Sequence, residues 1–177
     1  ASDNTMSLNE ARNGYSTKLA KQTKSNEALP TPPAKTFSKI EFESLAGNLA
    51  AYITPDPKDG KKRPAIIWIT GGDCNTIGDV WSPGKASNDQ TAAQYRNAGI
   101  VMMFPSLRGG NNNPGQREGF WGEVDDVVSA ANELAKQTYV DPARIYLGGH
   151  STGGTLALLV AESTDRFRAV FSFGPVD

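Results

Sequence analysis

The sequence predicts an α/β fold, in which a mostly parallel sheet carries helices on both faces to form three αβα layers. Four short runs are apolar except for Ser172, as expected for strands that are buried on both faces of a parallel sheet. Segments with helical periodicity separate these runs, and this alternation of strand and helix favours right-handed crossover connections. The apolar runs are residues 65–69, 100–104, 145–147 and 169–173.

The first residues have the composition of an arm outside the sheet. Residues 1–28 are polar and poor in aromatic side chains, and a short helix is expected around residues 8–24, interrupted by Asn13-Gly14. Residues 29–33 contain three prolines and therefore predict a stiff, extended linker. We predict an N-terminal arm with a Pro-rich linker over residues 1–35 and one α/β domain over residues 36–177.

A hairpin is predicted at the start of the domain. Apolar and polar residues alternate imperfectly over residues 37–43, which indicates a half-buried strand. Residues 49–54 form its predicted partner, and Ala46-Gly47-Asn48 between them is a typical turn sequence.

Two helices are predicted between the apolar runs. The first covers residues 88–98, with Ser87 as its N-cap and Gly99 at the position after its C-terminus. The second covers residues 122–137 and places its apolar side chains on one face. Its first turn is acidic and a lysine lies near its end, which suits the helix dipole.

Composition and charge exclude several classes of partner. The chain has 177 residues, a size typical of one domain plus an extension, and a net charge of −1 at pH 7. This near-neutral balance implies neither a nucleic acid nor an anionic membrane as partner. The longest apolar runs are about five residues, far shorter than a membrane span. We expect a soluble protein without a metal ion or an organic cofactor.

The cellular compartment stays open. No signal peptide is visible in the printed sequence, and the single cysteine, Cys74, excludes an intrachain disulfide framework. One free cysteine is compatible with the cytoplasm, and equally with the periplasm or with secretion after processing.

The most informative motif is Gly149-His150-Ser151-Thr152-Gly153, which lies between an apolar strand and an apolar helix. It matches the G-x-S-x-G pattern, in which a serine nucleophile lies on a sharp strand-to-helix turn. The two glycines remove collisions that side chains would make on such a turn. We expect the turn to hold the Ser151 hydroxyl at the N-terminus of the helix, where partial positive charge favours a developing oxyanion.

A second candidate element, Thr70-Gly71-Gly72-Asp73, follows the first apolar run. Glycines at the end of a strand let the backbone approach a substrate oxygen closely. We expect the amide of Gly72 or Asp73 to donate one hydrogen bond to an oxyanion, and the amide of Thr152 to donate the other. The alternative is an ordinary turn at the end of the strand.

The remaining polar candidates each have a plainer interpretation. Arg108 follows the second apolar run and either binds a substrate carboxylate or forms an internal ion pair. Asp125 and Asp126 are interpreted as acids in the first turn of a helix. His150, the only histidine, is adjacent to Ser151 and diverges from it, so we expect it to pack or hydrogen-bond locally and not to act as the base.

Taken in order, these motifs resemble the prolyl oligopeptidase-like branch of the α/β-hydrolases, which includes acylaminoacyl-peptidase-like and dipeptidyl-peptidase-like proteins. The resemblance covers roughly residues 36 to 177, and the G-x-S-x-G motif with its Asp-x-x-Arg-Ile lead-in is its most specific part. The motifs that carry it are Gly71-Gly72, Arg108-Gly109-Gly110, Trp121-Gly122-Glu123-Val124-Asp125-Asp126, Asp141-Pro142-Ala143-Arg144-Ile145 and Gly149-His150-Ser151-Thr152-Gly153-Gly154.

The resemblance implies a serine hydrolase of the α/β-hydrolase fold that acts on a small peptide or ester substrate. Ser151 would attack the substrate carbonyl and form an acyl-enzyme, with the oxyanion held by the amides of Thr152 and of the loop at residues 71–73. A carboxylesterase-like hydrolase and a non-catalytic binding module of the same fold remain alternatives.

The chain departs from the family pattern at two places. It has Thr70 where many relatives have a histidine before the two glycines, which changes this loop but keeps the glycines. It also stops at Asp177, soon after the strand that follows the nucleophile helix, whereas the family's triad acid and histidine lie later. We therefore expect a truncated α/β-hydrolase domain, completed by the remainder of the same polypeptide or by a homo-oligomer, and little activity from these residues alone.

Overall fold

The computed structural model describes residues 6–176, except for the side chain of Asn88. Residues 1–5 of the predicted arm and Asp177 at the end of the predicted domain lie outside the described residues. The strands are β1 (Ser38–Ser44), β2 (Gly47–Ile53), β3 (Arg63–Ile69), β4 (Val101–Pro105), β5 (Val140–His150) and β6 (Val170–Phe173), and the helices are α1 (Leu8–Arg12), α2 (Ala93–Asn97), α3 (Glu123–Lys136) and α4 (Thr152–Ser163).

The six strands form one mostly parallel sheet in the order β1-β2-β4-β3-β5-β6. β1 and β2 form the expected antiparallel hairpin, and β2 pairs antiparallel with β4. β3 pairs parallel with both β4 and β5, and β6 pairs parallel with β5. Parallel strands require crossover connections, which here contain α2, α3 and α4. The carboxyl ends of the four parallel strands therefore lie at the same edge of the sheet, the usual place for a ligand site.

Each face of the sheet has its own apolar core. Side chains of β3 alternate between the faces, since Ile67 and Ile69 lie in one cluster and Ile66 and Trp68 lie in the other. The first cluster includes the buried side chains of α3 and α4, and the second is joined by Tyr95 of α2. Helices therefore pack on both faces, which confirms the predicted α/β class and its three layers.

The helix predicted over residues 88–98 is shorter in the structure, because α2 has only five residues. The prediction that Ser87 is its N-cap is wrong, since a separate 3-10 turn, Ala86–Asn88, contains this residue. The Asp89 carboxylate then accepts hydrogen bonds from the backbone N–H and the hydroxyl of Thr91. Such local side-chain bonding competes with helical hydrogen bonds and delays the start of α2.

The N-terminal arm lies on the loop that joins β4 to α3. Its helix α1 has five residues and ends at Arg12, directly before the expected interruption at Asn13-Gly14. The rest of the helix expected around residues 8–24 does not form, and no further helix or strand follows in the described arm. Arg117 N–H of the loop donates to the carbonyl of Thr23 at 3.1 Å. Arg12 forms an ion pair with Asp125 at 2.9 Å. The described part of the arm thus contacts the domain at several points, and the exact position of the boundary stays a prediction.

None of the four helices in the described range is both long and apolar enough to cross a membrane. The longest of them, α3, has 14 residues.

Candidate active site

Ser151 lies on a sharp turn between β5 and α4, at the carboxyl edge of the sheet. Its φ of 55° and ψ of −124° fall outside the regions that non-glycine residues normally occupy. Two hydrogen bonds hold this conformation, since Ser151 N–H donates to Phe173 O at 2.9 Å and Thr155 N–H donates to Ser151 O at 3.0 Å. This is the strand–turn–helix geometry that the G-x-S-x-G motif requires.

Two glycines let this turn close. A Cβ atom on Gly149 would lie 2.2 Å from Gly153 O, and a Cβ atom on Gly153 would lie 2.3 Å from Ile69 O. Neither position therefore accepts a side chain without a shift of the backbone. Gly153 brings α4 directly against the end of β3, where the β3 loop (residues 70–73) begins.

The β3 loop is fixed against the turn from two sides. Gly71 N–H donates to Gln90 Oε1 at 3.3 Å, and the Thr152 hydroxyl donates to Gly72 O at 2.7 Å. Gly72 has a φ of +82°, which glycine adopts at no steric cost. A Cβ atom on Gly71 would lie 3.2 Å from the Ser151 Cβ. The β3 loop therefore contacts the turn of the G-x-S-x-G motif (residues 149–153), which is called the nucleophile turn after that motif.

Two amides of the β3 loop have no hydrogen-bond acceptor among the described residues. Among the described residues, neither Gly72 N–H nor Asp73 N–H donates a hydrogen bond, and both residues are exposed. The Gly72 carbonyl accepts a hydrogen bond from the Thr152 hydroxyl. This carbonyl and the Asp73 N–H belong to one trans peptide unit, in which the C=O and N–H bonds point in opposite directions. The Asp73 amide therefore points away from Thr152, which favours Gly72 as the donor beside the nucleophile turn.

The Asp73 carboxylate is occupied inside the protein. One oxygen accepts from the N–H groups of Asn75 at 3.1 Å and Thr76 at 2.8 Å, and the other pairs with Arg117 at 2.5 Å. These bonds fix the chain directly after the β3 loop. Sequence reasoning missed Arg117, because an ion pair between residues 44 positions apart leaves no local pattern.

A buried polar cluster lies next to the β3 loop. Glu123 is 1% exposed and accepts hydrogen bonds from Asn75 Nδ2 at 2.9 Å and from Glu118 N–H at 2.8 Å. Burial, together with the charges of Glu123 and Asp73, raises the pKa of the Cys74 thiol to about 12. A thiol with this pKa is not a nucleophile at neutral pH.

His150 has a local hydrogen-bond partner. Its Nδ1 lies 2.7 Å from Gln90 Nε2, which is the kind of role expected for this residue from the sequence. Within the described part of the chain, no side chain forms a hydrogen bond with the Ser151 hydroxyl. Sequence reasoning missed Gln90, which lies 60 residues before His150 and belongs to no motif.

Arg108 lies in a buried ion-pair network. Its Nε and Nη2 donate to the two carboxylate oxygens of Asp126 at 2.9 Å each, and its Nη1 pairs with Glu118 at 2.5 Å. Burial lowers the pKa of Arg108, but the hydrogen bonds and charges of the two carboxylates raise it above its usual value. Each guanidinium nitrogen thus faces an internal carboxylate. Substrate binding by Arg108 stays a prediction, and these ion pairs argue against it.

The model of the Prolyl oligopeptidase family matches residues 86–176. The match covers just over half of the 177 residues and includes the nucleophile turn at Ser151.

Two curated proteins show what the chain is similar to. Dipeptidyl-peptidase 5 of Porphyromonas gingivalis is 31% identical over 133 residues, which cover 71% of this chain and 19% of that protein. S-formylglutathione hydrolase of Mus musculus is 28% identical over 150 residues, which cover 72% of this chain and 51% of that protein. The chain therefore spans less than a fifth of the first relative and about half of the second.

The fold is shared with a solved structure. The alpha/beta hydrolase GrgF from Penicillium sp. sh18 matches with a TM-score of 0.62 at 22% identity, over 78% of this chain and 46% of that one. At this identity the likeness concerns the fold alone. It confirms the α/β-hydrolase fold that the order of motifs predicts.

Proposed function

Because the chain belongs to the prolyl oligopeptidase family, we propose that it provides the nucleophile and the oxyanion site of a serine hydrolase. The reaction is the cleavage of a peptide, amide or ester bond through an acyl-enzyme on Ser151. The observation that carries this proposal is the conformation of Ser151, whose φ is 55°. Strain of this kind persists in a fold chiefly where function requires it.

Each part of the site has one role in this reaction. Ser151 Oγ attacks the carbonyl carbon at the positive end of the α4 dipole. The carbonyl oxygen becomes negative and accepts hydrogen bonds from the N–H groups of Thr152 and Gly72. The Thr152 hydroxyl holds the loop donor in place through its 2.7 Å bond to Gly72 O. A donor of this type contributes about 3–4 kcal/mol in the transition state.

The base and the acid of the triad come from elsewhere. His150, the single histidine of the printed chain, is adjacent to Ser151 and has its Nδ1 2.7 Å from Gln90. The chain spans only 19% of dipeptidyl-peptidase 5 and 51% of S-formylglutathione hydrolase. A histidine and a carboxylate outside these 177 residues, from the same polypeptide or a second copy, complete the triad in this proposal.

Peptides are the substrate class with the most support. The family match and the similarity to a dipeptidyl-peptidase both favour a peptidase. Ester hydrolysis is the second candidate, because S-formylglutathione hydrolase, whose name describes a small substrate, shares the same region over half of its own length.

The test measures cleavage of a peptide p-nitroanilide and of a p-nitrophenyl ester by the polypeptide that contains this chain. Ser151→Ala is expected to lower kcat on any cleaved substrate by about 10⁴–10⁶-fold, because loss of a triad nucleophile has this effect. Ser129→Ala in α3 is the matched control and should leave kcat unchanged. Cleavage that survives in Ser151→Ala contradicts the proposal, and cleavage of the ester alone selects the second candidate.

A further inference from the structure

Gln90 joins two parts of the proposed site. It lies just before α2, and its side chain contacts both the β3 loop and the residue that precedes the nucleophile. We infer that Gln90 is a positioning residue, which holds the oxyanion amides against Ser151 and fixes the ring proton of His150. Only the kinetic part of this inference rests on the proposed hydrolase function.

The contacts of Gln90 determine which way its amide group points. A backbone N–H can only donate, so the atom 3.3 Å from Gly71 N is the carboxamide oxygen. The NH2 group therefore faces His150 Nδ1 at 2.7 Å and donates to it. His150 Nδ1 is then an acceptor, and the single proton of the neutral ring lies on Nε2.

The same side chain decides which loop amides remain available. Gly71 N–H is used by Gln90, so an oxyanion must bind to an amide later in the β3 loop. Gly71 lies so close to the turn that a Cβ atom there would be 3.2 Å from the Ser151 Cβ. A shift of Gly71 would therefore move the Gly72 amide relative to Ser151. Reacting groups tolerate little displacement, so loss of Gln90 should slow the reaction at Ser151.

The first test is NMR of the histidine ring, which does not depend on activity. In protein with ¹⁵N-labelled histidine, long-range ¹⁵N–¹H correlations distinguish the two tautomers, and the His150 signals are assigned by their loss in His150→Asn. We expect the Nε2–H tautomer. Gln90→Glu keeps an acceptor for Gly71 N–H but removes the donor to His150, so it should place a proton on Nδ1. An Nδ1–H tautomer in the unsubstituted protein overturns the inference.

The second test measures the rate at which a fluorophosphonate modifies Ser151. Gln90→Met removes the hydrogen bonds to Gly71 N–H and to His150 at a similar side-chain length and should lower the rate constant by about three- to tenfold. Gln94→Met is the matched control, because the Gln94 side chain in α2 is exposed. This variant should react at the same rate as the unsubstituted protein. Equal rates in all three proteins overturn the positioning role.

The two tests separate the inference from the proposed function. An Nε2–H tautomer without any reaction of Ser151 refutes the hydrolase proposal and still supports the bond between Gln90 and His150. If Gln90→Met does not fold, the tautomer in the unsubstituted protein and in Gln90→Glu decides the matter.

Discussion

At the scale of single residues, Ser151 is the position where local preference and observed conformation disagree. Its φ of 55° is unfavourable for a serine, at a cost of roughly 1–3 kcal/mol. Gly149 and Gly153 make this conformation possible, because side chains there would lie within 2.3 Å of backbone atoms. The hydrogen bond from Ser151 N–H to Phe173 O then holds it. The fold thus maintains a strained residue at the carboxyl edge of the sheet.

The Thr152 hydroxyl provides a test of the oxyanion site. Thr152→Val removes its 2.7 Å bond to Gly72 O but keeps the Thr152 amide. We expect kcat to fall by about three- to tenfold with little change in KM, because the loop donor is used mainly in the transition state. Steady-state kinetics on the better substrate measure this split.

The conservative variant is the control for this prediction. Thr152→Ser keeps the hydroxyl and should restore most of kcat. An equal loss in the serine and valine variants would show that packing of the methyl group, and not the bond to Gly72, matters.

Cys74 should be inert in the folded protein. Because burial raises its pKa to about 12, the thiol stays protonated as the pH rises past the ordinary value of about 8.5 and ionises only in strong alkali. At about pH 8 only ~10⁻⁴ of the folded protein carries the thiolate. Titration with a chromogenic disulfide, compared with Cys74→Ala, should show slow reaction of Cys74 in buffer and rapid reaction of Cys74 in concentrated guanidinium chloride. Rapid reaction in the native protein that is lost in Cys74→Ala contradicts the burial of Cys74.

At the scale of secondary structure elements, the site depends on how closely α4 approaches β3. Gly153 is the contact point, since a Cβ atom there would lie 2.3 Å from Ile69 O and 2.6 Å from Thr70 O. The same contact places the first amide of α4 beside the β3 loop. Two elements that are far apart in the sequence therefore supply the two proposed oxyanion donors.

Gly153→Ala is expected to destabilise the protein by roughly 2–4 kcal/mol, because the added methyl group pushes α4 away from β3. Gly78→Ala is the matched control, since a Cβ atom there has no neighbour within 4 Å. Urea unfolding followed by circular dichroism gives both free energies of unfolding. Similar values for the two variants would show that α4 and β3 are not in tight contact.

The strands were predictable from the sequence, whereas α2 was not. The apolar runs of β3 and β4 are buried on both faces of the sheet, as their composition predicts. The same expectation is wrong for β6, because Phe171 is 40% and Phe173 46% exposed. The start of α2 depends on the Asp89 carboxylate, which bonds to Thr91 in place of a helical turn. Asp89 is compatible with either outcome, so its local sequence does not decide between them.

The candidate site also has a part that the sequence predicts and a part that it does not. The glycines and serine of the nucleophile turn lie within five residues, so their spacing predicts the geometry. Gln90 and Arg117 reach the β3 loop from 19 and 44 residues away, and only the folded chain brings them there. For Arg108 the sequence left two alternatives open, because the position of Asp126 was needed to choose between them.

At the scale of the whole molecule, the loop between β4 and α3 joins a network of polar contacts that includes α3, β1 and the N-terminal arm. Arg108 in this loop pairs with Asp126 of α3, and Ser44 of β1 donates to the same carboxylate. The N-terminal arm pairs with the loop through Thr23 and Arg117. A buried charge pair at such a junction stabilises the fold only while both partners are present.

Arg108→Met should therefore lower the free energy of unfolding by about 3–5 kcal/mol, because Asp126 stays buried without its cation. Arg117→Met, which breaks a more exposed ion pair, is the control and should cost about 0–1 kcal/mol. Chemical denaturation measures both values. A raised KM with unchanged stability in Arg108→Met would instead support substrate binding by Arg108.

The double variant Arg108→Met with Asp126→Leu addresses the case in which Arg108→Met does not fold. It removes both buried charges and should recover much of the lost stability. No recovery would show that the hydrogen bonds of the network, and not the unpaired charge, carry the effect.

Ser151 is the proposed nucleophile, and intact-mass spectrometry after incubation with a fluorophosphonate tests this role most directly. The reagent should add one equivalent to the polypeptide that contains this chain, and peptide mapping should place the adduct on Ser151. The adduct should be absent in Ser151→Ala and present in Ser129→Ala. An unmodified protein, or an adduct on any other residue, would contradict the claim and leave a binding module of the same fold.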